Sequence, residues 1–441
     1  MRPFLIAVCL AALSCAPVEA PAPEAPSRPN ILLVTIDTVR ADHTSVHGYE
    51  KPTTPFLEEL AAQGVRFDRA YATSSWTVPS IASILTALPP AEHGVTRGFI
   101  QHGRAVDQEI LSANHRLLAE ELRDAGYRTV GVTANGHLSQ KFGFAQGFDH
   151  YANVGFTTGT RLAHELRSLA PALIGADPWF LWVHFFDPHG PYTARDETES
   201  FLDAEPSFDR DLFERLQGIQ ERDDVADLDA QPGAQTHRYI TALYDGEIRY
   251  VDEEIRKLVR ALNLGDNDMI VVTSDHGEEF FDHGDCWHGH TLYEETVHVP
   301  LVVRLPGRDL AGTVLSHPVS LTGVTPTILE AAGVETGILE PGLFEPARPV
   351  RASLSFFDNI EMLIETPFKY IRNLDSGEQL LFDLEADPFE GDNLFEKRQE
   401  VAAAMGLRLE RSMLEQAPFA AEAMALTEEQ AAQLRSLGYV N

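Results

Sequence analysis

The chain has 441 residues, 44% of them hydrophobic, and its 67 acidic side chains against 34 basic ones give a formal charge of −33. That much apolar content builds one large core, or a core with a smaller companion, and excludes a disordered chain. The charge repels nucleic acid and anionic lipid, so an anionic ligand would have to be met by a local positive centre such as a metal ion.

Residues 1–15, MRPFLIAVCLAALSC, place Arg2 before an apolar run from Phe4 to Leu13 that is too short to span a membrane, and read as a signal peptide. Ala12-Leu13-Ser14-Cys15 resembles a bacterial lipoprotein cleavage box, which would put a lipid on Cys15. Residues 16–29, rich in Pro and Ala, would then tether the rest to a membrane. The alternative is cleavage nearby and a free periplasmic or secreted protein; either way the chain is expected to be exported from a bacterium. With Cys9 inside the signal, only Cys15 and Cys286 remain, which argues against a disulfide framework or a thiolate metal cluster.

From Asn30 onward NILLVTID, RTVGVTA, WFLWVHFF, DMIVVTSD and VPLVVRLP are apolar runs of the kind buried on both faces of a sheet. Helical patterns separate them: TTPFLEELAAQG, NHRLLAEELRDAG, RYITALYDGEIRYVDEEIRKLVRALN and SLTGVTPTILEAAG. The alternation predicts an α/β unit over 30–345 built on a large, mostly parallel sheet flanked by helices. The acidic stretch from Asp196 to Asp229 reads as a surface excursion, or alternatively as a lid. After Pro346 the runs RASLSF, FKYIRNL and EQLLFDL, followed by a helical pattern from Phe395 to about Gln416, predict a smaller C-terminal antiparallel sheet plus helix over 346–441. LTEEQAAQLRSLGYVN closes the chain as one more short helix.

Ligands of open α/β sheets collect beyond the carboxyl ends of the strands. Four runs end there in polar residues: Asp37, Asn135 with His137, Asp187 with His189, and Asp275 with His276. A lone Asp in such a place is usually a turn or cap residue, but four polar ends on one edge favour a ligand set. Asp37, Asp275 and His276 are oxygen and nitrogen donors suited to a divalent cation that keeps a position open for substrate oxygen. In SSWTVPSIASILT, Pro79 fits a first helical turn, where free N–H groups and the positive helix end attract anions. Thr77, just upstream, could meet cation and anion together and act as a nucleophile of lowered pKa. The alternative is that Thr77 or Ser75 only caps the helix.

Taken together, RPNILLVTIDTVRADHTSVHGY, TVPSIASILT, SDHGEEF, WHGHTLYEETVHVPLVV and KYIRN with LFDLEADPFEGDNL resemble the sulfatase family of the alkaline-phosphatase superfamily, from about Arg28 to Asn393. The resemblance implies an alkaline-phosphatase-like fold, metal ligation by Asp37, Thr77, Asp275 and His276, and Thr77 as nucleophile. It puts His137 and His189 on the transferred group or leaving oxygen, and His288 and His290 on either side of Gly289, where many members carry a lysine; a structural role is the alternative for each histidine. Three departures stand out: Thr77 replaces the Cys or Ser that becomes formylglycine, Ile81 replaces the motif's Arg, and Thr38 replaces a calcium-binding Asp. Threonine nucleophiles belong to the superfamily's phosphodiesterases and phosphoethanolamine or phosphoglycerol transferases. The expectation is therefore a metal-dependent hydrolase of sulfate, phosphate or phosphonate esters, with such a transferase or an inactive binding homologue as alternatives. Its substrate would be an anionic ester of a small molecule, glycan or lipid. The cation would be manganese, zinc or calcium, His276 favouring the first two; the alternative is a two-metal site in which Asp187, His189 and His288 hold a second cation.

Overall fold

A computed structural model describes residues 28–97, 100–101, 104–105, 108–174, 178–196, 198–202, 233–346, 348–415 and 423–424. The signal peptide, most of the tether, most of the acidic stretch and the closing helix fall outside the described residues.

The main sheet has eight strands: β1 (Ile31–Ile36), β2 (Val65–Phe67), β3 (Arg128–Thr133), β4 (His150–Asn153), β5 (Trp179–Phe185), β6 (Met269–Ser274), β7 (Leu301–Arg304) and β8 (Thr313–Leu315). They lie in the order β8-β2-β7-β6-β1-β5-β3-β4, with only β7 antiparallel to its neighbours. Around it pack helices α1 (Pro55–Ala61), α2 (Thr77–Thr86), α3 (Leu118–Asp124), α4 (Gly159–Ile174), α5 (Ala234–Ala261) and α6 (Val324–Ala331). β1 shows why its run is apolar throughout. Ile31 and Leu33 pack in the layer of α2, α3 and α6, whereas Leu32, Val34 and Ile36 pack in that of α1, α4 and α5. A strand with helices on both sides has no solvent face, so every position is buried.

The second sheet is a four-stranded antiparallel meander, β9 (Val350–Ser355), β10 (Asn359–Glu365), β11 (Phe368–Asn373) and β12 (Gln379–Asp383), backed by α7 (Gln399–Glu415). The sequence pattern missed β10, NIEMLIE, because Glu361 interrupts its apolar run. Glu361 is paired across the sheet with Arg372, 2.6 Å away, so the interruption is a cross-strand ion pair. Ala352, Met362, Ile364 and Phe382 face the core that contains α2, and Leu363, Tyr370 and Leu381 face Ala402, Met405 and Leu409 of α7. Lys369, wholly buried, holds the same junction: its Nζ lies 3.0 Å from Glu294, in the LYEE segment, and 3.0 Å from Glu390.

α2 begins one residue earlier than expected, at Thr77 itself, with Trp76 as the flanking residue. The helix is buried along its whole length. Thr325 donates to the Ile84 carbonyl (2.6 Å), and Ser80 donates to the Asp275 carbonyl (2.6 Å), which ties the helix start to the end of β6. His93 holds the other end. Its Nδ1 accepts the Val95 N–H (3.1 Å), which leaves the proton on Nε2 to reach Ser83 (3.0 Å). Burial, reinforced by nearby His115, pushes the His93 pKa down to about 3. A histidine that stays neutral when folded but titrates near 6.5 when unfolded lends stability that is present above pH 6.5 and lost as pH falls toward 3. Lowering the pH from 7 to 5 should thus cost about 2 kcal/mol through this residue. In denaturant unfolding at the two pH values, His93→Gln is expected to lose less stability than the unsubstituted protein by about that amount.

Candidate functional site

The parallel strands deliver their polar ends to one edge. Asp37 follows β1, with its N–H bonded to the Phe185 carbonyl of β5 (2.9 Å), and Asp275 follows β6, with its N–H on the Ile36 carbonyl (3.1 Å). Register therefore sets both carboxylates side by side. The start of α2 brings Thr77 Oγ1 to 3.4 Å from Asp37 Oδ1 and 3.3 Å from His276 Nε2. His276 Nε2 lies 3.5 Å from Asp37 Oδ1 and 3.8 Å from Asp275 Oδ2. All four side chains are buried.

These separations are long for hydrogen bonds but match the edges between donors sharing one cation at bond lengths near 2.1 Å. The Nδ1–H of His276 is spent on the Gly277 carbonyl (2.9 Å), so Nε2 offers a lone pair. Asp275 Oδ2 is buried and finds no hydrogen-bond partner among the described residues. Burial and the adjacent Asp37 charge push the Asp275 carboxyl pKa well up, whereas His184, His189 and His276 overcome burial to hold Asp37 below the usual carboxylate range. Two abutting buried carboxylates call for a positive centre, and this donor set fits a divalent cation. Asn135 steadies Asp37 through a 2.9 Å bond from Nδ2 to Oδ2.

One member of the cluster was missed in the sequence. His184 sits inside β5, its Nε2 3.5 Å from Asp37 Oδ2, and together with Asp37 and Asp275 it forms a fully buried group whose ligand atoms lie within 4.8 Å of one another. The only hint was a histidine in an otherwise apolar strand run, WFLWVHF.

The remaining histidines separate by environment. His288 packs against His276 at 4.5 Å and His189 at 4.9 Å between ring centroids, and its Nδ1 meets Glu278 Oε1 at 2.6 Å. Tyr192 donates to the other Glu278 oxygen (2.6 Å). His137 meets Trp76 edge to face (5.7 Å), and His189 stacks on Phe186 (4.5 Å). Burial lowers the pKa of all three, His137 to about 3, so they enter any reaction as neutral imidazoles.

His290, on the other side of Gly289, is held at both ring nitrogens. Its Nδ1 contacts the His288 carbonyl (3.1 Å) and its Nε2 contacts Glu279 (3.2 Å). Glu279 and Asp285 outweigh the effect of burial and raise its pKa. The alternative of a second cation on Asp187, His189 and His288 loses its carboxylate. Asp187 Oδ1 is bound by Arg195, and Oδ2 accepts the Gly159 N–H (2.7 Å) at the start of α4. Gly289 has φ +85°, and a Cβ there would come within 3.1 Å of Trp76 and 3.3 Å of Phe356. Aromatic rings thus occupy the space into which a side chain at this position would extend.

The family model described as Sulfatase matches residues 29–334. An arylsulfatase of Clostridium perfringens is 24% identical over 462 residues, covering 84% of this chain and 91% of that protein. A choline-sulfatase of Rhizobium meliloti is 25% identical over 448 residues, covering 84% and 83%. Among solved structures, the phosphonate monoester hydrolase of Agrobacterium radiobacter superposes with a TM-score of 0.68 at 23% identity, over 91% of this chain and 99% of that one. With the model running through more than half of the chain and the relatives aligned along most of their own lengths, this protein belongs to the sulfatase family and is a hydrolase acting on ester bonds.

Proposed function

We propose that the chain hydrolyses anionic esters, with sulfate and phosphonate monoesters as the primary substrate classes, through a covalent intermediate on Thr77. The observation that carries this reading is the Thr77 hydroxyl within 3.4 Å of Asp37 and 3.3 Å of His276 at the buried start of α2. A divalent cation held by Asp37, Thr77, Asp275 and His276 would supply Lewis acidity, lowering the pKa of the hydroxyl and neutralising the ester anion.

Thr77 Oγ1 gives up its proton and attacks sulfur or phosphorus in line, and the bond to the leaving oxygen breaks as the new one forms. The neutral imidazoles of His137, His189 and His288 are the candidate acceptors of that proton and return one to the leaving oxygen. Water then attacks the same centre and restores the hydroxyl. The backbone N–H groups at the start of α2 help to hold the anion. Asp37 and Asp275 carry the charge that organises the site and do not act as bases. A threonine cannot form the formylglycine aldehyde, so release depends on water attacking sulfur or phosphorus; the fold shared with phosphonate monoester hydrolases makes phosphonate monoesters the first substrates to assay. We further propose that the protein is exported and anchored through Cys15, a reading supported by the residue pattern of 1–29.

Across a panel of aryl sulfate, phosphate monoester, phosphodiester and phosphonate monoester, at least one ester should turn over, and Thr77→Ala should lower kcat on the order of 10³-fold or more. Turnover of none by the metal-replete protein would favour a binding role instead. Chelation followed by gel filtration should abolish activity, and manganese or zinc should restore it. Cys15→Ser should move the protein from the membrane fraction to the soluble fraction of expressing bacteria, and an unchanged partition would remove the proposed anchor.

A further inference from the structure

We propose that His184 is a fifth protein ligand of the same cation, binding through Nε2 from the side of Asp37 opposite to Thr77 and His276. The inference rests on the metal-dependent reading above and goes beyond it, because it adds a donor from the middle of a core strand.

Three observations carry it. First, the two oxygens of Asp37 are divided between two imidazoles: Oδ1 lies 3.5 Å from His276 Nε2, and Oδ2 lies 3.5 Å from His184 Nε2. Both separations exceed normal N–H···O lengths and are short enough for the atoms to share one cation. Second, the Nε2 atom of His184 is fully buried and has no hydrogen-bond partner among the described residues, as is also true of Asp275 Oδ2. Two orphaned polar atoms in one buried cluster point to a group that satisfies both.

Third, the far side of the ring is arranged to leave that nitrogen as a lone pair. Trp182 Nε1–H, which can only donate, bonds to Thr35 Oγ1 (3.0 Å). His184 Nδ1 meets the same oxygen at 2.9 Å, and the hydroxyl has the Val183 carbonyl within 3.5 Å as an acceptor for its own proton. With the Thr35 proton on the carbonyl, the oxygen accepts from both rings and the His184 proton sits on Nδ1, the tautomer in which Nε2 is free for a metal. A second imidazole beside two carboxylates and a hydroxyl turns the site toward zinc, manganese or cobalt and away from calcium.

The test is cobalt substitution of the full-length protein. In the wild-type Co(II) form, proton NMR should show two exchangeable, hyperfine-shifted imidazole N–H signals, from His184 and His276; a single signal would overturn the proposal. His184→Gln should keep one such signal, change the visible Co(II) spectrum and weaken Co(II) affinity at least about tenfold in chelator competition. A spectrum and affinity matching wild type would also overturn it. A wild-type protein that binds no cobalt, zinc or manganese would instead remove the metal-dependent reading itself, so the two failures are distinct.

Discussion

Everything at the strand ends follows from holding Asp37 and Asp275 next to each other in the buried interior. β1 and β6 are parallel neighbours in direct register, so the residues that follow Ile36 and Ser274 emerge together whatever their charge. Each carboxylate is fully buried. The repulsion between them is the constraint to which the surroundings respond: His276 and His184 on either side, Asn135 on one oxygen, and the start of α2 presenting Thr77 toward Asp37. The fold supplies the position cheaply because a parallel sheet places several carboxyl ends on one edge, whereas the charge pair has to be balanced by chemistry that the backbone alone cannot provide.

The support of this cluster is continuous with the core. Ser80 joins α2 to the carbonyl of Asp275, and His93 with Ser83 fixes the far end of the same helix. Thr35, one layer beneath Asp37, connects Trp182 and His184 in one hydrogen-bonded set. A shift of any of these by even an ångström would be felt at Thr77, since all sit in a close-packed interior with no slack.

Much of this was legible in the sequence, for physical reasons. Strands buried on both faces give unbroken apolar runs, and the first polar residue after each run marks the sheet edge, which is how Asp37, Asn135, Asp275 and His276 stood out. Thr77 was visible through Pro79 and the flanking hydroxyls. What was not legible lies where the pattern conveys no partner. β10 was hidden because Glu361 reads as a break until Arg372 is seen opposite it. His184 was hidden because a histidine within WFLWVHF does not reveal which side of the sheet end it serves. Asp187 also followed such a run and His290 came from the resemblance, and the sequence pattern did not show that Arg195 and Glu279 bind them.

The stacking of Trp76 on Phe356, with centroids 4.1 Å apart and planes 16° from parallel, joins the residue before Thr77 to the hairpin between β9 and β10. The wall beside the Thr77 hydroxyl thus includes a ring from the carboxyl-terminal sheet, while the clustered donor atoms come from the larger sheet and the start of α2. On the chemistry proposed above, substitutions in residues 356–359 would reshape this wall while leaving the donor atoms in place. In this architecture, substrate preference and chemical competence can drift independently, and the turn of a small sheet is where the first would change.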